Sequence, residues 1–334
     1  MIKDPIHGGA LDQIRHRFPQ APSPWLDLST GINPWPYPHT EWPAEALTHL
    51  PTAAMTEACR SAMADAWECD PSCILPVPGS ELAIRLLPQL LNIGKIAVPH
   101  PIYGDHLNVW QDAGRKVIPM TDPSQIPSEA QALVLCNPNN PDGRLWSFDT
   151  LKAFHGEMLR RGGWLILDEA YGELFTGDGI TPEAGADGLI ILRSFGKFYG
   201  LAGLRLGALL GPQSILRPAK QALGVWPISG PALTIGTRAY QDKDWQDATR
   251  MRLATARQSL DEALAALGLA TITGTDLFRY VHIESAHQVW ERLCAQGVYV
   301  RRFADQPDHL RIGLPETEHD KDRLVTALKL SLSA

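Results

Sequence analysis

No stretch of this 334-residue chain approaches the roughly 18 apolar residues that a membrane-spanning helix needs, and its longest runs, such as WLIL and LIIL, are far shorter. Basic residues are in deficit, with 30 Lys and Arg against 37 Asp and Glu. The resulting net charge of −7 leaves no cation excess to neutralise a phosphate backbone, which excludes a general nucleic-acid binder. Cysteine is scarce: Cys59, Cys69, Cys73, Cys136 and Cys294 are odd in number and scattered, which argues against a disulfide framework. Cys69 and Cys73 lack the matching Cys or His pair of a zinc site, so buried reduced thiols are the better reading. No internal repeat or low-complexity tract occurs. The N-terminus MIKDPIHGGALD places charges and a proline where a signal peptide has an apolar core. A soluble, cytoplasmic protein is expected.

Hydrophobic residues make up 44% and charged residues 20%, the balance of a packed globular protein. The length suggests one large domain and a smaller one. Residues 18–43 are rich in Pro and Trp, which rules out a long helix and predicts an ordered arm, whereas residues 44–67 carry Ala, Leu and Met at helical spacing. From residue 73 short apolar runs alternate with amphipathic stretches: CILPV (73–77), KIAVP (95–99), KVIPM (116–120), ALVLC (132–136), WLILD (164–168), LIILRSF (189–195) and RLGALLG (205–211). Runs apolar throughout suit strands covered on both faces, so an α/β fold with a mainly parallel open sheet is predicted. Residues 212–265 read as mostly helical. FRYVHI (278–283), GVYVRRF (297–303) and DHLRIGL (308–314) read as strands of a smaller α/β domain, with a helix at 287–296 and another near the end. The expected division is an arm at 1–45 that contributes to the small domain, a large domain at 46–240 and the small domain at 241–334.

Ligands of an open α/β sheet gather at the carboxyl ends of its strands. Reactive and polar residues recur there: Gly79-Ser80-Glu81 after the first run, Tyr103 after the second, Asn140 in NNPDG after the fourth, Asp168 and Tyr171 at the fifth, Ser194 and Lys197 at the sixth, then Arg205. Each has an ordinary reading too. Ser80 fits a plain N-cap, Tyr103 a core tyrosine, Asn140 a turn residue, and Lys197 a surface cation.

The segment SFGKFYGLAGLRLG resembles the lysine segment of the fold-type I pyridoxal phosphate (PLP) enzymes, the aspartate aminotransferase superfamily, with a hydroxyl residue three before the lysine and an arginine eight after it. The resemblance extends over nearly the whole chain. It implies the PLP-dependent transferase fold type I and a Schiff base between PLP and Lys197. It further implies phosphate contacts from Ser194 and Arg205, alongside Gly79, Ser80 and Glu81 at a helix N-terminus suited to an anion. Asp168 is implied as partner of the protonated pyridine nitrogen, Tyr171 and Asn140 of the 3-oxygen, and Tyr103 as the aromatic side chain on the ring face. Arg311, in DHLRIGLP, matches the arginine that forks the substrate's α-carboxylate.

Within the superfamily, HGGALDQI followed by WLDLSTGINPWPYP resembles the opening of the L-threonine-O-3-phosphate decarboxylases of cobalamin biosynthesis. That resemblance implies a lyase acting on a small phosphorylated amino acid. Arg301 or Arg302 of VYVRRF, with His7, would be at the substrate phosphate, and Ile32 and Asn33 would line the substrate. The basic pair also reads as a solvated one. The histidinol-phosphate aminotransferases are the alternative family, and a non-catalytic PLP-fold binding or scaffold protein is the alternative of a different class. A homodimer is the family expectation. One departure stands out: where many relatives carry a tyrosine that reaches the neighbouring subunit's PLP phosphate, this chain reads His49-Leu50-Pro51-Thr52.

Overall fold

The computed structural model describes residues 7–122, 124–175, 177, 179–269 and 271–333. The first residues of the expected arm, 1–6, lie outside the described residues. In chain order the strands are β1 (Leu26–Leu28), β2 (Ile74–Val77), β3 (Lys95–Pro99), β4 (Lys116–Met120), β5 (Ala132–Cys136), β6 (Trp164–Asp168), β7 (Leu189–Ser194), β8 (Gly207–Leu210), β9 (Ile272–Thr275), β10 (Phe278–His282), β11 (Val298–Arg302) and β12 (His309–Gly313).

The seven apolar runs form one sheet in the order β2-β8-β7-β6-β5-β3-β4. The pairs from β7 to β4 are parallel, and β8 alone runs against both of its neighbours. Every residue of β5 and of β7 is buried. That follows from helices on both faces and explains why these strands read as continuous apolar runs rather than alternating ones. The order switches between β3 and β5, since β3 leads outward to the edge strand β4 and β5 returns to its other side; ligands of such sheets gather at the carboxyl ends of the strands.

The chain divides into two compact units. One comprises Pro36–Asn140 and Arg144–Gln246; the other comprises residues up to Trp35, Pro141–Gly143, and the chain from Asp247. Residues 36–45, expected in the arm, belong to the unit of the seven-stranded sheet. The second unit holds the sheet β1-β11-β12-β10-β9, in which β1 pairs in parallel with β11 and the other pairings are antiparallel.

Three details differ from the sequence reading. The helix expected over 44–67 is split into Glu45–Thr48 and Ala53–Trp67, because Pro51 cannot continue a helix and Thr52 caps the second one by accepting from Met55 N at 3.2 Å. β1 lies inside the Pro/Trp-rich arm, and β9 (ITGT) is an edge strand; both are made by their pairing partners rather than by their own sequence. The helical stretch after β8 comprises Gln213–Leu223, Gly230–Gln241 and the 24-residue helix Lys243–Ala266. No helix among the described residues is long and apolar enough to cross a membrane.

Candidate active site

β2 ends at Val77, and the chain turns through Gly79 into helix Ser80–Leu90. Gly79 has φ +79°, and a Cβ there would lie 2.6 Å from Arg205 Nη2, so only glycine lets the guanidinium come this close to the helix start. Arg205 itself holds the left-handed conformation at φ +56°, uncommon for a residue with a side chain and a sign that its placement is enforced. The helix N-terminus, Ser80, Ser194 at the end of β7, and Arg205 thus assemble an anion cradle.

A cavity of about 250 Å³ opens on that cradle. Among its lining residues are Ser80, Glu81, Tyr103, Asn140, Asp168, Tyr171, Ser194, Lys197 and Arg205. The sequence-selected residues of the seven-stranded unit are therefore brought to one place, Gly79 beside them through Arg205. No hydrogen bond or ion pair engages the Lys197 amine among the described residues, while the hydroxyls and guanidinium that suit a phosphate stand on the same cavity. A group with an anionic tail, a ring nitrogen to pair with a carboxylate and a carbonyl to meet an amine fits this donor set.

Asp168 closes β6 and is 4% exposed. A carboxylate in such a place must be paired. Its Oδ1 accepts from Ala170 N at 2.9 Å, and its Oδ2 lies 2.8 Å from His106 Nε2. An ionised carboxylate can only accept, so Nε2 carries the proton. His106 is fully buried, and its Nδ1 has no partner among the described residues. The sequence reading missed His106. Its one local signal is position: it follows Tyr103 by three residues, at the start of helix Asp105–Asp112. Cys136 Sγ joins these two side chains, with all three potential ligand atoms within 4.8 Å.

Tyr103 Oη lies within hydrogen-bonding distance of Glu81 Oε2 (3.2 Å) and Asp105 Oδ2 (3.0 Å), and Arg85 reaches Glu81 Oε1 at 2.7 Å. One hydroxyl proton serves two carboxyl groups, which fixes the tyrosine ring at the cavity wall. Burial, then the charge of Asp105, pushes the Glu81 carboxyl above its ordinary value, against the pull of Arg85. Burial, then Glu81 and Asp105, raises the Tyr103 phenol too.

Behind Asp168 lies a charge network that sequence reasoning also missed. Arg193 Nη1 donates to Glu169 Oε2 at 2.7 Å, and Nη2 donates to Glu173 Oε1 at 2.9 Å. Thr181 donates to Glu169, Trp67 Nε1 donates to Glu173 at 3.2 Å, and the Trp67 ring lies 5.0 Å from the guanidinium. All three ionic side chains are buried. They pin the segment from Glu169 to Glu173 and with it Tyr171, which is 3% exposed.

In the other unit, Arg311 of β12 is 7% exposed and its Nη2 donates to Ser29 O at 3.0 Å. Arg301 of β11 stands directly opposite Arg311 in the antiparallel ladder, so the two share one face of the sheet. Arg302, one residue on, faces the other way. It lies 2.7 Å from His287 Nδ1, with its guanidinium 4.6 Å from the Trp290 ring. Asn33 is buried and accepts from Trp35 N at 2.9 Å, while Ile32 is half-buried. His7 precedes Gly8, whose backbone packs on Ser29.

Residues 44–328 match the family aminotransferase class I and II. The chain is 36% identical over 327 residues to threonine-phosphate decarboxylase of Pseudomonas aeruginosa, covering 96% of each chain. It is 38% identical over 326 residues to threonine-phosphate decarboxylase of Sinorhizobium sp, covering 97% of each. Its fold is similar to that of histidinol-phosphate aminotransferase from Sinorhizobium meliloti in complex with pyridoxal-5'-phosphate, with a TM-score of 0.84, 20% identity, and 96% and 94% of the two chains covered.

Proposed function

The chain belongs to the aminotransferase class I and II family, and from that premise we propose that it is a PLP-dependent lyase that converts L-threonine O-3-phosphate to (R)-1-aminopropan-2-ol phosphate and CO2, a step of cobalamin biosynthesis. The observation that carries this reading is the joint one. A lysine amine, a buried carboxylate and an anion cradle stand on one cavity, in a chain 36–38% identical to threonine-phosphate decarboxylases over almost its full length.

When bound, PLP supplies an electron sink for the bond broken at the substrate's α-carbon. The chain's own residues do the rest. Lys197 holds the cofactor covalently. Ser80, Ser194, Arg205 and the N–H groups after Gly79 hold its phosphate. Asp168, oriented by His106, pairs with the ring nitrogen and keeps it protonated. Tyr171 and Asn140 bond the ring oxygen, and Tyr103 covers the ring face. Arg311 forks the α-carboxylate of the substrate. Arg301 takes the substrate phosphate, rather than Arg302, because it alone of the pair shares a sheet face with Arg311. His7, Ile32 and Asn33 complete the substrate surface. The carboxylate leaves as CO2, and a proton takes its place on the α-carbon.

The working form is a homodimer. Leu47, Leu50, Val225 and Trp226 are 58–78% exposed, and the segments that bear them meet where Gly230 approaches Ala46, as expected of an apolar surface that a second copy covers. The setting is the cytoplasm, in keeping with five free cysteines.

One pair of assays tests the reaction. The purified protein with PLP is given L-threonine O-3-phosphate and CO2 is measured. It is then given histidinol phosphate with 2-oxoglutarate and glutamate is measured. CO2 from the first supports the lyase; glutamate from the second without CO2 from the first rejects it in favour of the aminotransferase.

A further inference from the structure

Ser29 follows β1 directly and is fully buried. A buried hydroxyl is held by partners, and here the partners connect distant parts of the chain. Ser29 N and Oγ both donate to Asp27 Oδ1, at 2.9 and 2.6 Å. Its Oγ also accepts from Gly9 N at 2.8 Å, and its carbonyl accepts from Arg311 Nη2 at 3.0 Å. The approach of the N-terminal segment is tight: a Cβ on Gly8 would lie 2.3 Å from Ser29 O. The same carbonyl is therefore pressed by Gly8 on one side and held by the Arg311 guanidinium on the other.

We propose that Ser29 is a positioning residue. It locks the His7-Gly8-Gly9 segment and the Arg311 guanidinium into one arrangement, so that the grip on the substrate's carboxylate depends on the seating of the N-terminal segment. The inference rests on the role of Arg311 in the reading above. Its chemistry explains the sequence pattern: glycine at position 8 for close approach, a serine for its paired donor and acceptor, and an aspartate two residues earlier to accept the hydroxyl's hydrogen bond.

Ser29→Ala removes the hydroxyl and leaves the carbonyl. The holoenzyme is titrated with L-threonine O-3-phosphate, with the absorbance of the bound cofactor as the signal, and the exchange rate of the Gly9 amide is followed by hydrogen exchange. The variant is expected to bind about tenfold more weakly, the scale of one lost buried hydrogen bond, with faster Gly9 exchange. Gly8→Ala, which keeps the hydroxyl, should weaken binding similarly, and the double variant should be no worse than either single one. Faster exchange with unchanged affinity in both variants, or effects that multiply in the double variant, would overturn the proposal. A wild type whose absorbance ignores threonine phosphate would instead remove the substrate reading, which separates the two failures.

Discussion

His106 donates from Nε2 to Asp168 Oδ2 across 2.8 Å, and both side chains are buried. The Asp168 carboxylate is thereby held in one rotamer, its Oδ1 bonded to Ala170 N and its Oδ2 to His106. His106→Phe keeps the volume and removes the donor. A hydrogen bond to a charged group contributes about 1.5–3 kcal/mol, so kcat should fall about 10- to 100-fold with KM little changed. Steady-state CO2 release checks this, and an unchanged kcat would mean that Asp168 needs no such support.

The two arginines of VYVRRF should separate cleanly. Arg301→Ala should raise KM for threonine phosphate about 10- to 100-fold, the cost of losing a charge-assisted bond to the ligand. Arg302→Ala should leave KM within about threefold, because its side chain lies on the opposite sheet face, where it meets His287 and Trp290. The reverse ranking would show that the ladder register misassigns the phosphate contact.

Arg193 is a matter of stability rather than of substrate. Arg193→Leu strands the buried Glu169 and Glu173 carboxylates without their cation. Breaking such a pair costs about 3–5 kcal/mol, read from denaturant unfolding of the cofactor-free protein. A loss below about 1 kcal/mol would mean that the two carboxyls find protons or water instead.

These groups mark the limit of what the sequence discloses. The strands of the large sheet were legible because burial on both faces leaves an unbroken apolar run, and a polar residue at the end of such a run has few reasons to be there. Asp168 and Ser194 stand at such ends, whereas Lys197 and Arg205 are singled out by their spacing within SFGKFYGLAGLRLG. His106 could not be found in either way, because its partner is 62 residues away in sequence and nothing local marks it; Arg193 stands out as a charge within the apolar run LIILRSF, but its partners, 24 and 20 residues away, could not be named. β1 and β9 were hidden for a related reason, since pairing, not composition, makes them strands. The break in the helix at 49–52 was visible in Pro51 and is purely local. The choice between Arg301 and Arg302 needed the register of β11 against β12, which sequence alternation leaves undetermined until the partner strand is known.

The pH dependence of stability should carry a mark of Glu81. Its carboxyl is raised in the folded state by burial and by Asp105, so the folded protein holds that proton more tightly than the unfolded chain. Its stabilising contribution is complete below the ordinary value of 4.5 and is lost as pH rises through the raised one. Glu81→Gln, still beside Tyr103, Arg85 and Asp105, should flatten the fall in stability above that pH in the cofactor-free protein. A slope that steepens or stays the same would show that another group carries it.

The most direct measurement is to reduce the PLP-loaded protein with borohydride, digest it and map the labelled lysine by mass spectrometry. The label should sit on Lys197 alone, should fall when reduction is carried out while threonine phosphate saturates the protein, and should return once the substrate is exhausted, because a lyase leaves the aldehyde to rejoin the lysine. A label on any other lysine, or none at all, would contradict the placement of the cofactor on which the site was built.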